Sequence, residues 1–156
     1  FVKKLQMVFD EGLYDPANEP DIAYAHLFSY FRGEEWRTQK ETQRLLDKYF
    51  TTKPNGIPGN DDTGTMSAWA IFNMIGFYPD CPGLPEYTLT TPVFNKVTIR
   101  LDPKWYKEKE LVIESNRTQP GTLYINKVLL NGKKFNQYRI THDELVHSQR
   151  ILFDLK

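Results

Sequence analysis

At Tyr78-Pro79 the spacing of apolar residues along this chain changes from three or four to two. No other feature limits the fold as much. A period near 3.6 buries one stripe of a helix, whereas a period of two buries one face of a strand. Before the change, Pro20 and Asp21 suit a first turn, and Ile22, Tyr24, Ala25, Phe28 and Phe31 recur at helical spacing. Arg32-Gly33 stops that helix, which spans 20–31. A second helix is predicted over 34–50, with Trp36, Leu45, Leu46, Tyr49 and Phe50 facing inward. The turn signals Lys53-Pro54-Asn55-Gly56 and Pro58-Gly59 mark a loop from Thr51 to about Gly64. A third helix runs from about Thr65 to Ile75 on Met66, Trp69, Phe72 and Ile75, and Gly76 ends it.

After the change, Val97, Ile99 and Leu101 alternate, as do Leu111 and Ile113. Leu123 to Leu130 reads as a further strand, and 150–155 as the last. Asn131-Gly132 forms a hairpin turn, because both residues tolerate the positive φ of a type I′ turn. The fold class is therefore α+β: helices over residues 1–80, then a small antiparallel β segment over 81–156.

Composition narrows the function. At 40% hydrophobic and 14% aromatic, the chain can bury a core. Its formal net charge is zero, with no basic excess to neutralise phosphates, so nucleic-acid binding is not expected. The zero covers an asymmetry. Residues 1–80 hold eight Lys and Arg against twelve Asp and Glu, and residues 81–156 hold the reverse. The acidic half suits either a solvated face or a cation or polyol site. The single cysteine, Cys81, rules out an internal disulfide, a zinc ribbon and a CxxC redox pair. No apolar run reaches membrane-spanning length, and no signal peptide is expected within these residues. The chain opens on Phe1-Val2-Lys3-Lys4-Leu5, which reads as a helix already under way, and a fragment or processed product is expected.

The residues with chemical potential lie in two loops, each leading into a helix. In Gly56-Ile57-Pro58-Gly59-Asn60-Asp61-Asp62-Thr63-Gly64, two adjacent carboxylates and an amide share a Gly/Pro loop. Asp62 or Thr63 is a good N-cap. Capping accounts for one acidic residue but not for two, since adjacent like charges repel unless a cation, donor or water compensates them. In Asp15-Pro16-Ala17-Asn18-Glu19-Pro20, Glu19 complements a helix dipole, or Asn18 and Glu19 offer hard oxygens to Ca²⁺ or sugar hydroxyls. Trp36 and Trp69 fit helical core positions. His26, His142 and His147 have no metal-ligand spacing and read as structural or surface residues.

The run Gly59-Asn60-Asp61-Asp62-Thr63-Gly64-Thr65-Met66-Ser67-Ala68-Trp69, continuing through Gly76-Phe77-Tyr78-Pro79, resembles glycoside hydrolase family 92. Asn18-Glu19-Pro20, Trp36-Arg37-Thr38-Gln39, Pro82-Gly83 and Glu86-Tyr87 carry the same resemblance, which follows the chain in order and is weakest after about residue 110. It implies a Ca²⁺-dependent, inverting exo-α-mannosidase, many members of the family acting on α-1,2 linkages. It also implies an extracytoplasmic setting, periplasmic or secreted, and a mannose-containing glycan as substrate. Residues 1–80 would then be the last helices of an (α/α) toroid, with the β segment closing the chain beside them.

By the same resemblance Asp62 matches the general base. Asn60 stands where many members carry Asp, and with Asp61 it would contact substrate or orient water. Asn18 and Glu19 would lie near the metal. The family's general acid lies on an upstream segment outside this sequence, so the chain alone is expected to be inactive and to depend on the remainder of its parent polypeptide. The alternative is a non-catalytic carbohydrate- or calcium-binding module.

Overall fold

The structure is a computed structural model that describes residues 1–156. Helix α1 spans Val2–Asp10, a 3₁₀ helix spans Glu19–Tyr30, α2 spans Glu35–Tyr49 and α3 spans Thr65–Ile75. Strands β1 (Phe77–Tyr78), β2 (Glu86–Leu89), β3 (Lys96–Arg100), β4 (Glu110–Arg117), β5 (Ile125–Leu130), β6 (Lys133–Phe135) and β7 (Arg139–Thr141) follow, then α4 (His142–Val146) and β8 (Arg150–Leu155).

The helix expected over 20–31 is a 3₁₀ helix, and its sequence explains why. Ile22, Ala25 and Phe28 are buried at a strict spacing of three, as are His26 and Ser29. Three residues per turn keep each set in register, where 3.6 would let it drift. Helix α2 buries Thr38, Gln39, Glu41 and Thr42 along with Leu45 and Leu46. Its inner face is therefore mostly polar, and these groups are tied except Thr38 Oγ1, which has no partner. Thr42 Oγ1 donates to Thr38 O at 2.7 Å, and Glu41 accepts from Gln6 Nε2 at 3.0 Å and Arg44 Nε at 2.7 Å. Trp36 departs from the expected inward set: it is 39% exposed. It precedes buried Thr38 by two residues, and at roughly 100° per residue that turns it toward the outer flank. There the Arg37 guanidinium lies 4.4 Å from its ring.

One hydrophobic cluster gathers α1, the 3₁₀ helix, α2 and the start of α3, from Leu5 to Trp69 and Ala70. A second gathers the sheets and α4, from Phe77 to Leu155. The first sheet is antiparallel, in the order β1-β2-β7. The second has the order β3-β4-β8-β5-β6, and its β4–β8 pair is parallel. The β segment is thus mixed and not purely antiparallel. A crossover carrying β5, β6, β7 and α4 separates β4 from β8 and lets them run the same way. The Asn131-Gly132 hairpin forms as expected, with φ of 49° and 80°. No helix is long and apolar enough to cross a membrane.

Polar contacts stitch the two clusters together. Gln39 Oε1 accepts from Ile125 N at 2.9 Å, and Ser29 Oγ meets Thr88 Oγ1 at 3.1 Å. Arg139 binds Asp80 at 3.2 Å, Glu86 at 3.3 Å and Thr88 Oγ1 at 2.8 Å, and stacks over Tyr30.

Candidate active site

The two acidic loops meet at Gly59 and Ala17. A Cβ on Gly59 would lie 2.7 Å from Ala17 Cβ and 3.1 Å from Ala17 O, inside van der Waals contact. Gly59 also adopts φ of 65°, so this approach requires glycine on two counts.

Asp21 organises the first loop. It is buried, accepting from Asp15 N at 3.1 Å through Oδ2 and from Asn18 Nδ2 at 3.2 Å through Oδ1. Asp15 Oδ1 in turn accepts from Ala17 N at 2.9 Å. Asn18 therefore spends its amide N–H on Asp21 and keeps its side-chain oxygen free. Asn18 and Glu19 are both exposed.

The second loop ends in three consecutive residues at positive φ: Asp62 (48°), Thr63 (61°) and Gly64 (95°). The cap expected from Asp62 or Thr63 comes instead from Asp61. Gly64 is the N-cap and brings no side chain, while Asp61 Oδ1 accepts from Ser67 N at 2.8 Å. Ser67 Oγ donates to the same carboxylate at 2.7 and 2.9 Å. Capping thus consumes Asp61. Asp62 and Asn60 are exposed, and their side chains enter no hydrogen bond within the chain; only the Asp62 carbonyl is engaged, by Thr65 N and Thr65 Oγ1.

An aromatic bed supports the loops. Tyr78 stacks on His26, with ring centroids 4.5 Å apart. The Tyr78 hydroxyl is pushed up to about 12 by burial first, then by the negative charges of Glu19 and Asp80. Tyr14 is also raised, by burial and then by Asp21. Both phenols thus stay neutral, and Glu19 acts on Tyr78. Trp69 Nε1 donates to Ile22 O at 3.0 Å, fixing α3 against the 3₁₀ helix. Asn73 Nδ2 donates to Trp69 O at 2.8 Å, so its Oδ1 accepts from His26 Nε2 at 2.9 Å. Burial lowers the His26 pKa, and the ring is neutral in the core. His26 is structural, as the sequence indicates, and so is Trp69.

The calcium reading requires more donors than these loops supply. Nowhere do three or more His, Cys, Asp or Glu side chains gather closely enough to hold a metal ion. Asn18 and Glu19 offer two donor groups, against the roughly six to eight oxygens of a calcium sphere. The residues present do not by themselves make a calcium site.

Sequence reasoning missed Asp21 and Ser67 as organisers of the two loops. Asp21 looks like an ordinary first-turn acid. Ser67 stands six residues from Asp61, twice the usual capping interval.

All 156 residues match the glycosyl hydrolase family 92 catalytic domain. The chain belongs to this family. Among solved family 92 structures, an α-mannosidase of Bacteroides thetaiotaomicron matches the whole chain with TM-score 0.90 and 31% identity. The same enzyme in complex with mannoimidazole matches 92% of the chain with TM-score 0.83. An inverting family 92 mannosidase of B. thetaiotaomicron matches 97% with TM-score 0.81 and 33% identity. A secreted glycosidase of Arthroderma benhamiae is 29% identical over 92% of the chain. The chain spans 18–21% of the length of these relatives.

Proposed function

We propose that this chain carries the general-base side of the active site of a calcium-dependent, inverting exo-α-mannosidase acting on α-mannosidic, chiefly α-1,2, linkages. The observation that carries the reading is the asymmetry between adjacent acids. Asp61 is bound into α3, whereas Asp62 stands exposed at positive φ with its carboxylate free. A general base needs an unoccupied lone pair, and Asp62 has one.

In an inverting hydrolysis, two carboxyl groups stand roughly 6.5–9.5 Å apart across the sugar, leaving room for a water. Asp62 takes a proton from that water as its oxygen bonds to C1. The glycosidic C–O bond breaks, and its electron pair leaves with the departing oxygen. A general acid elsewhere in the longer polypeptide protonates that oxygen. Asn60 orients the water, its amide being free to do so. Asn18 and Glu19 serve as two of the oxygen donors to calcium, the others coming from outside this chain. In this reading residues 1–80 are the closing helices of an (α/α) toroid, residues 81–156 pack beside them, and the enzyme works in the periplasm or outside the cell. The 156 residues alone are inactive.

The test is hydrolysis of α-1,2-mannobiose by the full-length polypeptide, with and without a calcium chelator, the product anomer being followed by NMR. Chelator-sensitive release of β-mannose is expected. Release of α-mannose would exclude the inverting assignment, and chelator-insensitive turnover would remove calcium.

A further inference from the structure

The Asp61 carboxylate is held at two points by one residue. Ser67 N meets Oδ1 at 2.8 Å, and Ser67 Oγ meets both oxygens at 2.7 and 2.9 Å. The Asp61 carbonyl is also taken, by Gly64 N at 3.1 Å and Met66 N at 3.2 Å. Main chain and side chain of Asp61 are therefore both fastened to the first turn of α3. Asp62 and Thr63 must span from this anchor into the helix, and they do so at φ of 48° and 61°. For a β-branched Thr that conformation is rare, and it persists only where the surroundings over-determine it. On the far side, Thr65 closes the turn on the Asp62 carbonyl, with N at 3.2 Å and Oγ1 at 2.8 Å. One turn further along, Trp69 is buried and bonded to Ile22 O, so the anchor refers back to the helical core.

We propose that Asp61 and Ser67 form a positioning clamp for Asp62, fixing the turn that presents its carboxylate, and that Asp61 is not itself a substrate contact. This deepens the general-base reading of Asp62 and rests on it. A carboxylate already held by both donors of Ser67, its N–H and a hydroxyl shared between the two oxygens, is poorly placed to bind sugar hydroxyls as well. A misplacement of about 1 Å in a reacting group costs on the order of 10²-fold in rate, so such a clamp bears on turnover.

The test uses the full-length enzyme on α-1,2-mannobiose and compares Ser67→Ala, Ser67→Thr and Asp61→Asn, each with its melting temperature. Ser67→Ala is expected to lower kcat about 10- to 100-fold with KM within about threefold. Ser67→Thr keeps the hydroxyl and is expected to hold kcat within about threefold of wild type. Asp61→Asn is expected to lower kcat as Ser67→Ala does. Wild-type kcat in a folded Ser67→Ala enzyme would overturn the clamp. So would a raised KM at constant kcat in Asp61→Asn, which would make Asp61 a substrate contact. If Asp61→Asn fails to fold, the two Ser67 variants decide. A wild-type enzyme that cleaves no mannoside removes the general-base reading, and the clamp with it; an active wild-type enzyme whose Ser67→Ala variant keeps its kcat removes the clamp alone.

Discussion

Asp62 and Thr63 both adopt the left-handed backbone region, where an L-residue gives up roughly 1–2 kcal/mol. A loop that needed only to connect two helices has little use for this arrangement. If Asp62 is the base, Asp62→Asn in the full-length enzyme should cut kcat about 10²- to 10⁴-fold. Its melting temperature should stay close to wild type, because the Asp62 side chain makes no internal bond to lose. Unchanged turnover would refute the assignment. Gly59→Ala tests the seam between the loops. The new methyl meets Ala17 at 2.7 Å on a backbone at positive φ, and a loss of about 1–3 kcal/mol in denaturant titration is expected. At this scale the sequence singles out the acidic loops but misassigns the cap. Asp62 and Thr63 stand at the usual capping distance from the helix start, whereas only the folded turn brings Asp61 back to Ser67.

The long elements were the most legible. Helix α3 runs Thr65–Ile75 and β8 runs Arg150–Leu155, the bounds that residue spacing indicates. The short ones were not. Strand β1 has two residues and β7 three, too few to display a period, and they exist because β2 pairs with both. Helix α4 did leave a signal. Thr141 and Glu144 make a capping box, with Thr141 Oγ1 accepting from Glu144 N at 3.1 Å. The seam between the 3₁₀ helix and α3 predicts a pH dependence. His26 is held neutral by burial, so its folded-state pKa lies below the unfolded value of about 6.5. Below that value the unfolded chain binds more protons, and stability falls as pH falls. Melting followed from pH 7 to 5 should show a downward slope in the wild type. The slope should be smaller in His26→Gln, and an equal slope in both would exclude His26 as its source.

Across the whole molecule, helical and β clusters are joined by aromatic contacts of Phe72 and Tyr78 and by a set of polar groups, of which Arg139 is the busiest. It reaches Asp80, Glu86, Thr88 and the ring of Tyr30, while the Asp80 side chain is 1% exposed. Arg139→Met should cost about 3–5 kcal/mol, because it leaves a buried carboxylate without its partner. Arg139→Met combined with Asp80→Leu should recover part of that loss. Thermal unfolding of the four-member cycle measures the coupling, and strictly additive losses would contradict the pairing. The sequence also left the parallel β4–β8 pair unseen, because alternation gives a strand its faces but not its neighbours. That pair governs the order of assembly. Strand β8 sits between β4 and β5, yet it follows both in the chain. While the polypeptide is being synthesised, the helical layer and the first sheet have all their residues before the larger sheet has its middle. Until Arg150 to Leu155 emerge, β4 and β5 each show a bare edge to solvent, open to pairing with any passing strand.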